Sequence, residues 1–111
     1  SGLPILMDTF VRLTKSPLVS IAKIRGCARG VSSEFVLACD MRFASRENTR
    51  LGHPELGVGL HPGGGGTERL PHLVGRGRAL EGEARGAAAA PDAGGAPLAD
   101  APREWTVEAL V

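Results

Sequence analysis

The stretch SSEFVLACD at residues 32–40, followed by GHPELGVGLHPGGGGT at residues 52–67, decides how this sequence is interpreted. It carries two isolated glutamates, Glu34 and Glu55, whose neighbours are mostly apolar residues and glycines. In such surroundings a carboxylate can serve as an acid or a base rather than as a surface charge. These two residues are therefore the first candidates for a functional site.

Helical and extended patterns alternate around this stretch. Apolar residues recur at three- and four-residue steps from residue 3 to residue 14, which predicts an amphipathic helix. Ser32 or Ser33 can cap a second helix, with Glu34 in its first turn. We expect, in chain order, a helix at 3–14, a strand at 18–25, a helix from 32 or 33 to about 39, a strand at 41–44, a turn at 45–48, a strand at 49–51 and a helix at 67–74. This order predicts an α/β fold, and no internal repeat is evident in the sequence.

Large aliphatic side chains are distributed unevenly along the chain. The 111 residues are 42% hydrophobic, which suits one domain with a modest core. Residues 82–103, however, contain nine Ala, four Gly and three Pro, with Leu98 as the only large apolar residue. Such a segment buries too little surface to offset the entropy of ordering it. We expect a core at residues 1–81, a low-complexity segment at 82–103 and a short C-terminal segment at 104–111, where Trp105 and Leu110 fit a helix.

The charge and the cysteine content argue against several classes of function. A net charge of +1 gives no electrostatic basis for binding nucleic acid or an anionic membrane. Cys27 and Cys39 lack CxxC spacing, and no N-terminal apolar segment resembles a signal peptide or a membrane span, so a reducing cytoplasm is expected. A locally basic run forms either a solvated face or a contact for a phosphorylated ligand. Its members are Lys15, Lys23, Arg25 and Arg29.

Each glutamate also has a purely structural interpretation. A carboxylate in the first turn of a helix is stabilised by the positive end of the helix dipole, so Glu34 could be a charge partner of its own helix. The apolar run FVLAC at residues 35–39 instead predicts a buried helix whose first turn borders a pocket. Glu55, between Pro54 and a glycine-rich loop, could be a turn residue that faces solvent. These alternatives stay open at the level of sequence.

Two other patterns are weaker indications of a binding site. The glycines at residues 63–66 precede a helix, as in a phosphate-binding loop, but no lysine follows in the Walker position. His53, His61 and His72 match no compact ligand spacing and have no cysteine beside them, so no metal site is predicted. His53, immediately before Pro54 and Glu55, can still line the site.

The segments IAKIRGCARGVSSEFVLACDMRFAS at residues 21–45 and LGHPELGVGLHPGGGGTERLPHLVGRGRAL at residues 51–80 resemble the central part of the enoyl-CoA hydratase/isomerase family, the crotonase superfamily. The order of features is specific: a strand ending in glycine, a small-residue turn, a helix with a glutamate, and a Pro-Glu pair ahead of a glycine-rich helix start. This resemblance implies a spiral of ββα units that assembles as a trimer or a hexamer. It also implies binding of acyl-CoA thioesters and stabilisation of an enolate at the thioester oxygen, as in fatty acid metabolism.

Site residues follow from the resemblance position by position. It implies that Glu34 and Glu55 add water to a 2-enoyl-CoA, and that the backbone N–H of Val31 is one donor of the oxyanion hole. It implies contacts with the substrate at four further positions, Ala28, Gly30, Pro54 and Gly63. No metal is implied, and no cofactor apart from the coenzyme A of the substrate itself. Isomerase or hydrolase chemistry of the same family is the alternative.

The same resemblance implies that parts of the family fold are absent from this sequence. The early strands, with the family's first oxyanion donor, would precede Ser1, and the usual C-terminal helical region would follow Glu81. Residues 1–81 are thus expected to be a partial crotonase-like core. The alternative to an active enzyme is a truncated or frameshifted family fragment, acting at most as a noncatalytic acyl-CoA-binding or assembly module.

Overall fold

The computed structural model describes residues 2–55 and 59–88. Helices and strands alternate in it, which confirms the predicted α/β class. In chain order the elements are α1 (Ile5–Thr14), β1 (Ile21–Ile24), β2 (Cys27–Arg29), α2 (Val31–Ala38), β3 (Met41–Ala44), β4 (Arg50–Gly52), α3 (Gly66–Val74) and α4 (Arg76–Ala88).

The strands and the helices that follow them form two successive ββα units. The first unit is β1, β2 and α2, and the second is β3, β4 and α3. β1 pairs in parallel with β3, with Ile21 opposite Met41, and β2 pairs in parallel with β4, with Cys27 opposite Arg50. A parallel pair needs a long crossover between its strands, and α2 supplies it. The second unit therefore lies beside the first, as in one step of a ββα spiral.

The two units differ in the connection between their strands, which helps to hide the repeat in the sequence. Residues 25–26 join β1 to β2, whereas residues 45–49 join β3 to β4. The longer turn is fixed to the first unit by Thr49, which is buried and donates its hydroxyl to the carbonyl of Ile24 at 3.1 Å. The predicted turn at 45–48 is thus present, and it makes this connection three residues longer than the one in the first unit.

The core lies between the β2–β4 pair and the helices. Val36 and Leu37 of α2 pack there against β-strand residues and against Leu70 of α3. α1 joins the same side through Phe10, whose ring centroid lies 5.9 Å from that of Phe35. The buried residues of this cluster are Ile24, Ala28, Val36, Leu37, Leu51, Leu70 and Ala79.

Three sequence predictions need correction at the first unit. β1 is shorter than the predicted strand at 18–25, and residues 27–29, expected in a turn, form β2. β2 gives little local signal because its partner β4 lies far along the chain. Neither Ser32 nor Ser33 caps α2, since the residue before the helix is Gly30 and no side chain bonds to this helix end. The predicted end near residue 39 is close to the observed end at Ala38.

α4 continues past the expected boundary at Glu81. It runs to Ala88, through a stretch whose alanines are the best helix formers. The boundary between the core and the low-complexity segment therefore does not coincide with the end of a helix. The interpretations of residues 89–103 and 104–111 lie outside the described residues. None of the described helices is long and apolar enough to cross a membrane.

Candidate active site

The first turn of α2 begins at a glycine that no other residue type would replace easily. Gly30 has φ 56° and ψ −126°, a conformation that L side chains rarely adopt. Its N–H donates to the carbonyl of Gly52 at 2.9 Å, and its carbonyl accepts from the N–H of Glu34 at 3.0 Å. The strain therefore falls on Gly30, and Val31 starts the helix in an ordinary helical conformation.

Val31 places a backbone donor at this helix end. As the first helical residue, it has no carbonyl one turn earlier in α2 to accept its N–H. Its side chain is 50% exposed. An N–H group at a helix N-terminus points towards any anion that approaches, and the helix dipole adds to the attraction.

The side chain of Glu34 is buried beneath this turn, where it meets the next helix. It is only 1% exposed, and its Oε2 accepts a hydrogen bond from the N–H of Gly66 at 2.9 Å. Gly66 is the first residue of α3. The carboxylate is therefore held at the N-terminus of a different helix from its own, where the dipole stabilises negative charge. The structure therefore differs from the interpretation of Glu34 as a charge partner of its own helix, because the bond is to the start of α3.

The glycine turn before α3 is shaped around this carboxylate. A Cβ on Gly64 would lie 2.9 Å from Oε2 of Glu34 and 3.0 Å from the ring of Phe10. A Cβ on Gly66 would lie 3.2 Å from Cγ of Glu34. Backbone can approach the carboxylate this closely only because these positions carry no side chain. The glycine run is thus a packing surface for Glu34.

Glu55 comes from the other side of the turn that starts α2. A Cβ on Gly30 would lie 3.1 Å from Oε1 of Glu55, so this carboxylate rests against Gly30. Its Oε2 is buried and has no hydrogen-bond partner within residues 2–55 and 59–88. The backbone carbonyl of Glu55 accepts from the N–H of Leu60 at 3.0 Å, which closes the loop. Glu55 is thus turned towards the start of the helix that carries Glu34.

His53 is the histidine that the structure brings to the site. It is 2% exposed, and its Cε1 would lie 2.9 Å from a Cβ on Gly66. His61 and His72 are exposed. Across the described part of the chain, no group of three or more His, Cys, Asp or Glu side chains is placed to hold a metal ion.

The four positions predicted to contact substrate fall in different settings. Ala28 is buried in β2 and lines an open cavity of about 390 Å³ together with Ser32 and Phe35. Gly30 lies against Glu55, as described above. Pro54 and Gly63 are exposed, and a Cβ on Gly63 would meet nothing within 4 Å. Their contacts with a substrate stay predictions.

Several residues of the site were not identified from the sequence. Gly64 and Gly66 touch Glu34, and the guanidinium of Arg69 donates from Nη1 to the carbonyl of Gly64 at 3.0 Å. The run of four glycines was the available signal, although it suggested a phosphate rather than a carboxylate. Chemically, the site offers two carboxylates for proton transfer and, for a developing oxyanion, the N–H of Val31, which has no acceptor within α2.

Comparison with known proteins agrees with this fold. The model of the enoyl-CoA hydratase/isomerase family matches residues 4–94, past the end of the motif resemblance. The short-chain-enoyl-CoA hydratase of Clostridium acetobutylicum is 51% identical over 61 residues, which cover 55% of this chain and 23% of that protein.

Solved structures give the same result in three dimensions. A crystal structure from Streptomyces avermitilis is 60% identical, with a TM-score of 0.68, over 69% of this chain and 28% of that one. The enoyl-CoA hydratase of Bacillus anthracis is 42% identical, with a TM-score of 0.67, over 69% of this chain and 30% of that one. The chain spans less than a third of the length of these relatives.

Proposed function

The chain belongs to the enoyl-CoA hydratase/isomerase family, and we propose that its site adds water across the double bond of a 2-enoyl-CoA. The observation that supports this best is the approach of both glutamates to one helix start. Glu55 rests against Gly30, and Glu34 lies in the first turn that Gly30 begins. Two acid–base groups at one place are what hydration requires, because one proton leaves the water and another reaches the α-carbon.

The different surroundings of the two carboxylates suggest how the roles divide. The N–H of Gly66 holds the carboxylate of Glu34 in place at the start of α3, which suits the base that takes a proton from water. The oxygen of that water attacks the β-carbon, and the electron pair of the double bond moves towards the thioester oxygen. Glu55, as the carboxylic acid, then gives its proton to the α-carbon, which completes a 3-hydroxyacyl-CoA. The proton of the water stays on Glu34, and its transfer to Glu55 through solvent restores the starting state.

The N–H of Val31 is the proposed donor to the thioester oxygen as negative charge develops there. Val31 begins the helix that carries Glu34, directly after the Gly30 against which Glu55 rests, and its N–H has no acceptor within α2. One such preorganised donor typically lowers a barrier by about 3–4 kcal/mol. Coenzyme A enters as part of the substrate, and no separate cofactor is proposed. The proposed setting is the cytoplasm, with a trimer or hexamer as the assembly.

The short span of the chain favours one alternative. Because it covers less than a third of its relatives, it can instead be a noncatalytic module that binds acyl-CoA or takes part in assembly. In that case the turn at Gly30 and Val31 would hold the thioester without turnover. Isomerisation, which moves a proton between two carbons without water, would use chiefly Glu55.

Purified protein distinguishes these readings. Crotonyl-CoA is the probe, and both the loss of the conjugated enoyl absorbance and a mass gain of one water are followed. Hydration is expected for the unaltered chain, with a loss of at least about 100-fold for Glu34→Gln and for Glu55→Gln. Glu47→Gln, an exposed glutamate in the turn between β3 and β4, is the matched control and is expected to retain full activity.

Two results would contradict the proposal. If a folded chain binds crotonyl-CoA without converting it, the noncatalytic module is the correct reading. If hydration proceeds unchanged in both glutamine variants, the paired-glutamate mechanism is wrong. Circular dichroism and thermal unfolding of each variant establish that the chain is folded.

A further inference from the structure

Arg69 is attached to the glycine turn by both its backbone and its side chain. Its N–H donates to the carbonyl of Gly65 at 2.9 Å, and Nη1 of its guanidinium donates to the carbonyl of Gly64 at 3.0 Å. The guanidinium covers Gly65 so closely that a Cβ there would overlap Nη1. Arg69 therefore binds the outer side of this turn.

The inner side of the same turn contacts Glu34. Gly64 lies between Oε2 of Glu34 and the ring of Phe10, and the next element begins with Gly66, whose N–H donates to Oε2 at 2.9 Å. Gly65, between them, has φ 97°. Three consecutive glycines have no side chains with which to fix their own conformation, and glycine has the largest backbone freedom to lose. An external group has to hold the turn.

We infer that Arg69 is a positioning residue: by holding the turn at residues 64–65, it keeps the N–H of Gly66 aimed at the carboxylate of Glu34. The contacts that support this are all within the described structure and require no substrate. The effect of Arg69 on turnover rests on the proposed function, because the placement of Glu34 affects a rate only if Glu34 takes part in catalysis. A positional error of about 1 Å at a reacting group can cost about 100-fold in rate.

The direct test follows the amide proton of Gly66 by NMR while the pH is lowered. In the unaltered chain this resonance is expected to move as Glu34 takes up a proton, because the two are hydrogen-bonded. His53 also lies against Gly66 and can shift the same resonance. The pH series is therefore repeated with Glu34→Gln, and the part of the shift that this variant loses is assigned to Glu34. In Arg69→Gln that part is expected to be smaller than in the unaltered chain, because the N–H of Gly66 no longer stays aimed at Glu34. Arg78→Gln, an exposed arginine of α4, is the control and should leave it intact.

An unchanged response of Gly66 in folded Arg69→Gln would overturn the inference. If Arg69→Gln does not fold, Arg69→Lys replaces it, since lysine keeps the charge but lacks the planar fork of donors. For that variant a response between those of the unaltered chain and Glu34→Gln is expected, and a full response would overturn the inference.

Activity gives a second measurement. With crotonyl-CoA, Arg69→Gln is expected to lower kcat by about tenfold or more and to leave KM within about twofold. If Arg69→Gln instead lowers kcat/KM only by raising KM, with kcat unchanged, a role in placing Glu34 is contradicted. If no form of the chain hydrates crotonyl-CoA, the proposed function fails, while the Gly66 titration still decides the role of Arg69.

Discussion

The carboxylate of Glu34, on α2, accepts a buried hydrogen bond of 2.9 Å from the N–H of Gly66, the first residue of α3. This bond joins the helix of the first ββα unit to the helix of the second. It also occupies one oxygen of a residue proposed to be catalytic, so Glu34 has a structural contact and a chemical role at once. Substitutions can separate these two roles because they remove different atoms.

Glu34→Gln and Glu34→Ala are expected to differ in stability although both lose the carboxylate. The glutamine carbonyl can still accept from Gly66, so the loss should be about 1 kcal/mol, the difference between a charged and a neutral acceptor. Alanine leaves the buried N–H of Gly66 without its partner and should cost about 1–3 kcal/mol beyond that. Urea unfolding measures both. Equal stabilities for the two variants would show that the bond to Gly66 contributes nothing.

Gly66→Ala should destabilise the fold through steric overlap. The added Cβ would lie 2.9 Å from His53, 3.1 Å from Pro62 and 3.2 Å from Glu34, all of them packed side chains. Overpacking of this kind costs about 1–3 kcal/mol. Gly77→Ala, in α4, is the control because a Cβ there meets nothing within 4 Å. It should stabilise the helix by about 0.5–1 kcal/mol, so thermal unfolding should shift in opposite directions for the two variants.

Asp40 should make stability fall at acidic pH. The backbone N–H and the hydroxyl of Ser20 both donate to Oδ2, at 2.8 and 2.7 Å, and hold the pKa of Asp40 below its ordinary value of 3.8. The folded state therefore binds this proton less readily than the unfolded state does. The stabilising contribution is complete above the ordinary pKa and is lost as the pH falls through the lowered value.

Asp40→Asn is expected to flatten this part of the pH dependence. Urea unfolding free energies measured between neutral pH and about pH 2 give the comparison. Glu47→Gln provides a control at an exposed carboxylate and should leave the slope unchanged. If the free energy of unfolding changes with pH in the same way with and without Asp40, the hydrogen bonds between Asp40 and Ser20 are not the source of that change.

The two cysteines should differ in reactivity. Burial raises the pKa of the Cys39 thiol, an effect that the nearby guanidinium of Arg42 only partly offsets, whereas Cys27 is exposed on β2. Since the thiolate is the reactive form, iodoacetamide should label Cys27 well before Cys39. Peptide mass spectrometry over a time course measures the order. Labelling of Cys39 first in the folded chain would contradict the burial of Cys39.

Patterns that depend on near neighbours were predictable from the sequence. The predicted helix at 3–14 and the predicted strand at 41–44 agree with α1 and β3 to within two residues at each end. Glu34 was expected in the first turn of its helix, and it is there. These features arise from local propensity and from the spacing of apolar side chains.

Features set by distant partners were not predictable in the same way. β2 exists because it pairs with β4, and its three residues carry no strand pattern of their own. The contact of Glu34 with Gly66 joins residues far apart in the chain, so the glycine run could not be matched to its partner from spacing alone. Gly30 stands before α2 instead of a serine cap, because β2 ends at Arg29 and leaves one residue ahead of the helix.

Gly30→Ala should disturb both the fold and the position of Glu55. At φ 56° and ψ −126° a side chain is strained, which typically costs about 1–3 kcal/mol. The new Cβ would also lie 3.1 Å from Oε1 of Glu55, so that carboxylate has to shift by a few tenths of an ångström.

Gly26→Ala gives a matched comparison, because Gly26 precedes β2, has no positive φ, and a Cβ there meets nothing within 4 Å. Its stability should lie within about 0.5 kcal/mol of the unaltered chain. Hydration of crotonyl-CoA is assayed well below the unfolding temperature of both proteins, so that the folded fraction stays constant. Under these conditions Gly30→Ala should lower kcat more than its loss of stability explains, because Glu55 is shifted relative to the α-carbon of the substrate. Normal turnover by a folded Gly30→Ala protein would show that Glu55 does not need its place against Gly30.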